Sequence, residues 1–216
     1  MAIMPDFEKA RDYVLDRLEH ELPPGLTYHC LEHTRSEVVP AADRLAVLEK
    51  VGDEDHLLLL TGAYFHDLGF IRQRQDHELI SIQLAEQTLP GFGYSTSGID
   101  VIRGIILATR LPQAPATLLE KIMADADMDD LGHEDFWIRS KDLRRELDYY
   151  GSKFTDVEWY TYQLHLMQSH KYFTGSERKL RDNLKQEHLL EVARLLDQAT
   201  HENDISAKEN KSISRD

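Results

Sequence analysis

A histidine and an aspartate stand side by side at His66 and Asp67, immediately after the apolar run LLLLTGAYF. Neighbouring residues of a helix point about 100° apart, so both side chains can reach one ion near a helix end. Imidazole nitrogen and carboxylate oxygen are suitable ligands for Mn, Fe, Co, Ni or Zn. The pair is also compatible with a polar helix end, in which the helix dipole favours the histidine and the aspartate forms a turn before Gly69.

Two further clusters contain metal-ligating residue types. His29 and His33 are four residues apart in YHCLEHT, so a helix places them on one face. Pairs of this kind are also common as partly buried histidines with satisfied hydrogen bonds. The second cluster, MADADMDDLG at 123–132, places four aspartates within six positions, where they repel one another unless a cation or solvent intervenes. A solvated acidic face is the alternative, although Ile122 and Leu131 give the cluster apolar neighbours.

The spacing argues against two common metal motifs. Counted from Asp125, an EF-hand loop requires Gly at the sixth position and Glu at the twelfth, but this chain has Asp130 and Phe136 there. The segment HELIS at 77–81 lacks the second histidine of HExxH, which disfavours a zincin site.

The sequence predicts helices for the elements that position these residues. The periodicity is helical nearly throughout, and no segment alternates clearly enough to indicate a strand. Helices are predicted at 5–21, at 28–39 with a continuation past Pro40 to 51, at 54–67, from Asp76 to Pro90, and at 99–110, 116–132, 134–150, 155–173 and 177–199. We predict one all-α domain, a helical bundle.

The domain organisation follows from the same pattern. An N-terminal helix within 1–24 is expected to pack on a domain of residues 25–200. Residues 201–216 are polar and lack a periodic apolar face, so we predict a disordered tail there.

Composition and charge limit the class of function. With 216 residues the chain can form one sizeable core. Its net charge of −14 argues against non-specific nucleic-acid binding but leaves room for a small phosphorylated substrate, because a bound metal supplies local positive charge. No apolar stretch approaches the ~18 residues of a membrane span. The acidic N-terminus has no secretory signal pattern, and the lone Cys30 cannot form an internal disulfide. We therefore expect a cytoplasmic protein that binds no membrane.

The order His33, then His66–Asp67, then Asp127 resembles the HD-domain superfamily of metal-dependent phosphohydrolases, which has an all-α fold. The resemblance extends over residues 25–175 and is carried by YHCLEHT, by HDLGF with the following DHELISIQLAE, and by ADMDDLG. It implies that His33, His66, Asp67 and Asp127 are the metal ligands.

Asp127 is preferred to Asp125 as the last ligand, because ADMDDLG aligns its first aspartate with the family ligand. Asp125 would then support a ligand from behind or cap a helix. Two imidazoles and two carboxylates leave positions open for water and a phosphoryl oxygen. In the family, water activated by the metal is the nucleophile, so no serine or cysteine nucleophile is needed.

The resemblance implies one divalent transition metal (Mn, Fe, Co, Ni or Zn), and Mg is also compatible. His77 matches a position at which some family members add a histidine for a second metal. Thr109 and Arg110 stand where a further histidine would be expected, so a second metal is not expected. His77 would instead contact phosphate or transfer a proton, which makes Asp67 and His77 the candidate catalytic residues. A surface histidine near a helix start is the alternative.

Several side chains near these motifs are candidates for substrate binding, although exposed basic residues are usually only solvated. The candidates are His29, Arg110 and Lys171, followed by Arg72 and Arg74. We also expect either His165 or His170 to face the site.

The leading hypothesis is a metal-dependent hydrolase of a phosphoester, with a nucleotide as the substrate that the resemblance favours, and hence nucleotidase or phosphodiesterase activity. A (p)ppGpp hydrolase is disfavoured because HDLGFIRQRQ has no acidic residue between Asp67 and Asp76. The alternative is a non-catalytic regulatory HD module that binds a metal or nucleotide, but the presence of all four ligand types favours the enzyme. A di-iron oxygenase requires more ligands than the motifs provide. A homo-oligomer is compatible with the sequence.

Overall fold

The structure is a computed structural model that describes residues 5–213. Within this range the chain forms nine α-helices and no β-strand, which confirms the predicted all-α fold. The helices are α1 (Phe7–Glu21), α2 (Val39–Leu48), α3 (Asp53–Phe65), α4 (His77–Thr88), α5 (Thr96–Leu107), α6 (Leu118–Asp127), α7 (Phe136–Tyr149), α8 (Asp156–Ser169) and α9 (Gly175–Ile213). None of the described helices has the length and apolar character needed to cross a membrane.

α3 lies at the centre of the fold. Leu58 and Phe65 pack in a cluster with residues of α1, α4 and α5, whereas Leu59 and Ala63 pack in a cluster with residues of α2, α5 and α6. A Cβ atom at Gly62 would lie 2.4 Å from the side chain of Ile105, so the close approach of α3 and α5 requires glycine. Burial on both sides explains why residues 57–65 of this helix are mainly apolar.

α1 packs on this core through one face. Ala10, Val14 and Leu18 are at most 2% exposed and belong to the same apolar cluster as α3. The ring of Tyr13 stacks on Phe65 at a centroid distance of 6.2 Å. The N-terminal helix is therefore part of the hydrophobic core.

A π-helical segment, His33–Val38, runs directly into α2. Pro40 has no N–H and cannot donate the α-helical hydrogen bond to residue 36. The N–H of Val39 donates to the carbonyl of Thr34, five residues earlier, which is the π-helical spacing. Such single-turn π segments occur frequently at functional sites, and this one begins with a predicted metal ligand.

A third apolar cluster joins the C-terminal helices to the turn after α6. Met128 directly precedes a short 3-10 helix, Asp129–Gly132, and Leu131 lies within that helix. Both residues pack with Phe136, Met167 and Val192. This cluster brings α7, α8 and α9 together on the side of the molecule where Asp127 ends α6.

α9 continues to Ile213, so residues 201–213 are helical where the sequence analysis predicts a disordered tail. The chain has no glycine or proline between residues 176 and 213 and is rich in Leu, Glu, Lys and Arg, which favour helix. A helix needs no apolar face where it projects into solvent, and residues 201–205 are exposed. The rest of the predicted tail, 214–216, lies outside the described residues.

Candidate metal centre and its cavity

The four predicted metal ligands converge from three separate segments. The Nε2 atoms of His33 and His66 each lie 3.4 Å from Oδ1 of Asp127. Oδ2 of Asp67 lies 3.1 Å from Nε2 of His66 and 3.9 Å from Nε2 of His33. One ligand atom each from His33, His66 and Asp127 falls within 4.8 Å of the others, a cluster suitable for a single ion.

The end of α3 fixes the orientation of His66. Its Nδ1 atom lies 2.8 Å from the carbonyl oxygen of Ala63. A carbonyl only accepts, so Nδ1 carries the hydrogen and Nε2 is the free nitrogen that points into the cluster. Asp67 follows with φ −102° and ψ 2°, which ends the helix and turns its carboxylate towards the same place.

The π-helical segment fixes His33 in a comparable way. Nδ1 of His33 lies 3.0 Å from Oε2 of Glu37, one turn along, and the same oxygen lies 3.1 Å from Nε of Arg139. Metal-binding histidines commonly donate their second ring N–H to a carboxylate, which leaves the other nitrogen for the metal. Both histidines therefore present Nε2 to one point.

Three of the converging atoms have no hydrogen-bond partner within residues 5–213. Nε2 of His33, Nε2 of His66 and Oδ2 of Asp67 are all buried and unpaired. Buried polar atoms in native proteins are nearly always paired, so three orphans at one point indicate a missing ligand. Two imidazole nitrogens and carboxylate oxygens form a donor set typical of first-row transition metals. The residues present thus fit a divalent metal ion.

Without a cation, protons balance the charge of this cluster. Burial by itself would lower the pKa of His33, but the neighbouring carboxylates of Asp127 and Glu37 raise it to about 9. Burial also opposes protonation of His66, yet the nearby carboxylates of Asp67 and Asp127 hold its pKa well above the usual range. Burial would raise the pKa of Asp127, but the two imidazoles beside it lower it to about 2. A divalent cation would take the place of these protons.

Asp125 lies outside the cluster. Its fully buried carboxylate accepts hydrogen bonds from the backbone N–H groups of Phe173 and Thr174, at 2.7 Å and 2.8 Å. It therefore ties α6 to the segment that leads into α9. Burial raises the pKa of this carboxyl group.

His77 lies on the other side of Asp67. Its Nε2 atom is 3.3 Å from Oδ1 of Asp67, and its Nδ1 atom is 3.0 Å from the carbonyl oxygen of Arg74. The ring of Phe70 stacks on His77 at 3.9 Å and on His29 at 4.5 Å. The two oxygens of Asp67 thus face different groups, with Oδ2 towards the ligand histidines and Oδ1 towards His77.

A cavity of about 390 Å³ opens beside the cluster. Asp67 and Asp127 line it, together with His29, His77 and Arg74. The opposite lining comes from helices α7 and α8, and we call these residues the α7–α8 wall: Phe136, Ser140, Leu143, Leu147, Tyr162, Gln163 and Leu166.

Two arginines contribute positive charge to the cavity. Arg110 forms an ion pair with Asp76, and the guanidinium of Arg74 lies 4.1 Å from the ring centroid of Tyr150. Both side chains line the cavity, whereas Arg72 is exposed and does not.

Three other predicted contacts are not brought to the cavity. Lys171 is exposed in the segment before α9, and it is not a lining residue. His165 is exposed, and the half-buried His170 places Nδ1 2.9 Å from Nζ of Lys185. The prediction that one of these two histidines faces the site is wrong. The residues of α8 that line the cavity are Tyr162, Gln163 and Leu166.

The carboxylates that support the histidines were not predicted from the sequence. Glu146 is fully buried, accepts from the N–H of Tyr28 at 2.9 Å, and lies 2.6 Å from Nδ1 of His29. Its separation of 117 residues from His29 leaves no local signal, although it falls between Leu143 and Leu147 on an apolar face. Glu37 had a usable signal, since it lies four residues after His33 on the same helical face.

Asp130 is a half-buried acid that lines the cavity, and it was not predicted from the sequence as a site residue. It accepts a hydrogen bond from the hydroxyl of Tyr28 at 3.0 Å, and burial raises its pKa to about 6.

Two solved structures share this fold. One is described as a predicted HD superfamily hydrolase from an uncultured Thermotogales bacterium; it is 19% identical, with a TM-score of 0.60 over 90% of this chain and 93% of that one. The other is Bacillus subtilis YpgQ in complex with ADP; it is 21% identical, with a TM-score of 0.62 over 89% of this chain and 95% of that one. No protein-family model and no curated protein matches the sequence. The predicted resemblance to the HD-domain superfamily is thus confirmed at the level of the fold.

Proposed function

We propose that this protein is a metal-dependent phosphohydrolase that acts on a nucleotide, as a nucleotidase or phosphodiesterase. One observation carries the proposal: the unpaired buried atoms of His33, His66 and Asp67 converge with Asp127 beside a cavity. The HD superfamily hydrolase that shares the fold supports the same class of reaction.

The four converging side chains would hold one divalent transition metal. When bound, such a metal activates water at neutral pH and polarises a phosphoryl oxygen. The protein itself then needs no nucleophilic side chain. His33 is held by Glu37 and His66 by the carbonyl of Ala63, so both would present Nε2 to the ion.

His77 is the residue best placed to transfer a proton. It lines the cavity, and its Nε2 atom is 3.3 Å from Oδ1 of Asp67. Burial opposes protonation, but the hydrogen bond to Asp67 and the charge of that carboxylate raise the pKa of His77. A protonated imidazole beside the reacting phosphorus would bind a phosphoryl oxygen or donate to the leaving group.

Arg74 and Arg110 would bind the phosphate groups. A guanidinium group matches phosphate oxygens in a bidentate arrangement. Because the whole chain carries a net charge of −14, these two arginines matter for attracting an anion to this cavity.

The organic part of the substrate would contact the α7–α8 wall. The cavity volume is within the range of small-molecule sites, and this wall is mainly apolar and aromatic. The ADP bound to YpgQ, which shares the fold, supports a nucleotide as the ligand.

A screen of nucleotides and other phosphoesters tests the proposal. The purified protein is incubated with added Mn, Co, Ni, Zn or Mg, and released phosphate and nucleotide products are measured. We expect hydrolysis that depends on the added metal and disappears in Asp67→Asn. Asp100→Asn, an exposed control, should retain it. Metal-dependent nucleotide binding without turnover would favour the non-catalytic regulatory module instead.

A further inference from the structure

The α7–α8 wall contains a buried amide that is only half satisfied. Gln163 is 5% exposed, and its Nε2 donates to the hydroxyl oxygen of Ser140 at 2.6 Å. Its carbonyl oxygen Oε1 is buried and has no hydrogen-bond partner among the residues that the structure describes. Leaving a buried carbonyl unpaired is unfavourable, and Gln163 lines the cavity, so a ligand whose donor reaches this amide would remove that cost.

The surroundings of this amide restrict the chemistry of that ligand. No charged side chain of α7 or α8 is among the described residues that line the cavity. Leu143, Leu147 and Leu166 provide apolar surface beside the amide, and Phe136 provides an aromatic ring. A phosphate or a sugar would lose its hydration against this wall without compensation. A flat heteroaromatic ring with one hydrogen-bonding edge would bury its faces there and keep its polar contact.

The same cavity carries the complementary groups for an anion. Arg74, Arg110 and His77 line it together with the metal-ligand carboxylates. A ligand with a phosphate at one end and a heteroaromatic ring at the other would therefore contact both sets of residues within one cavity.

We infer that the α7–α8 wall binds the base of the nucleotide and that Gln163 determines specificity, by accepting a hydrogen bond from a ring N–H or an amino group. Ser140 is a positioning residue, because its hydroxyl holds the amide nitrogen and leaves the carbonyl oxygen for the base. This inference rests on the proposed function, since it assigns the organic part of that substrate.

Nucleosides provide a test that does not depend on hydrolysis, because they contain no phosphate. Binding of adenosine, guanosine, cytidine and purine riboside to the complete protein is measured by calorimetry or ligand-observed NMR. Purine riboside is the key probe, since it differs from adenosine only by lacking the amino group and its ring has no N–H. We expect at least one amino-bearing nucleoside to bind about tenfold more tightly than purine riboside.

Substitution of the amide should remove this preference. Gln163→Met keeps the size of the side chain and removes both polar atoms, so the affinities should converge. Gln168→Met changes an exposed glutamine of the same helix that does not line the cavity, and it should preserve the preference. Ser140→Ala releases the amide nitrogen and should reduce the preference partially; it keeps the test decisive if Gln163→Met does not fold.

Two results would overturn the inference: no saturable binding of any nucleoside, or a preference that neither Gln163→Met nor Ser140→Ala changes. The proposed function fails separately, if nucleosides bind with the expected preference while no nucleotide is hydrolysed with any metal. Conversely, hydrolysis of nucleotides combined with an unchanged preference in both variants rejects the role of Gln163 alone.

Discussion

Asp125 and Asp127 are separated by one residue and have the same side chain, yet they have different partners. Asp127 faces the imidazoles of His33 and His66, whereas Asp125 accepts from two backbone N–H groups before α9. Residues two apart on a helix point to opposite sides, which explains the division. We therefore expect Asp127 to bind the metal and Asp125 to stabilise the fold.

Asparagine substitutions separate these two roles. Asp127→Asn removes the charge that faces both histidines, so we expect loss of stoichiometric metal binding with the fold retained. Asp125→Asn replaces an acceptor with a donor opposite a backbone N–H, so it should retain the metal and lower the free energy of unfolding by about 1–3 kcal/mol. Metal analysis and urea unfolding measure both effects. The reverse pattern would make Asp125 the ligand.

Glu37 is expected to control metal affinity without touching the metal. It lies 3.0 Å from Nδ1 of His33 and orients that ring. Glu37→Gln should weaken metal binding by about 10–100-fold in a competition titration with a chelator, because such supporting residues typically have effects of this size. Glu32→Gln, an exposed residue paired with Arg35, is the control. An unchanged affinity in Glu37→Gln would show that His33 needs no such support.

At the scale of elements, the turn that carries His66 and Asp67 is held directly against α4. The N–H of Gly69 donates to the hydroxyl of Ser81 at 2.7 Å, and that hydroxyl donates to the carbonyl of His66 at 2.7 Å. A Cβ atom at Gly69 would lie only 2.0 Å from the carbonyl oxygen of His77. The contact between Asp67 and His77 therefore depends on glycine in this turn.

Gly69→Ala should push α4 away from the turn. We expect a loss of about 1–3 kcal/mol or more in the free energy of unfolding, as is usual for overpacking, together with weaker metal binding. Gly91→Ala is the matched control, since a Cβ atom there would have no neighbour within 4 Å in the part of the chain that the structure describes. Thermal unfolding and chelator competition report the two effects. Equal behaviour of the two variants would contradict the close packing of α4 on the turn.

The junction of α8 and α9 should make the protein sensitive to acid. Burial and, to a smaller extent, the charge of Lys185 together lower the pKa of His170 from 6.5 to about 3. At pH values between about 3 and 6.5, the imidazole of His170 is protonated in the unfolded chain but not in the folded protein. The free energy of unfolding therefore falls as the pH falls from about 6.5 towards 3.

His170→Asn keeps a hydrogen-bond acceptor for Lys185 but cannot titrate. We expect its free energy of unfolding to fall less steeply than that of the original protein between pH ~6.5 and ~4. His165→Asn, at an exposed position of α8, should leave the slope unchanged. Parallel curves for His170→Asn and the original protein would contradict the low pKa of His170.

At the scale of the whole molecule, the features with a local signal could be predicted from the sequence. The helices follow from their apolar periodicity, and the HD-domain fold from the order of His33, His66–Asp67 and Asp127. At residues 201–213 the structure has a helix where a disordered tail was predicted, because an apolar face is not needed for a helix to continue. The four predicted metal ligands, which have the clearest spacing in the sequence, are also the residues that the structure brings together.

The cavity could not be predicted, because it depends on how distant helices pack. Glu146 meets His29 across 117 residues, and the phase of α8 decides that Gln163 lines the cavity while His165 does not. Lys171 appeared suitable by residue type alone, yet it lies outside the lining. Contacts of this kind are set by tertiary packing and leave no periodic trace in the sequence.

The central claim is that a metal held by His33, His66, Asp67 and Asp127 directs water to a nucleotide phosphate. Phosphorus-31 NMR of a nucleotide incubated with the metal-loaded protein in oxygen-18 water tests it most directly, with spectra recorded after the protein and metal are removed. We predict a hydrolysis product whose phosphate carries the isotope-induced shift, and its absence with chelator or in Asp67→Asn. Metal-loaded protein that yields no labelled product from any nucleotide, or product that forms equally with chelator and in Asp67→Asn, would contradict the claim.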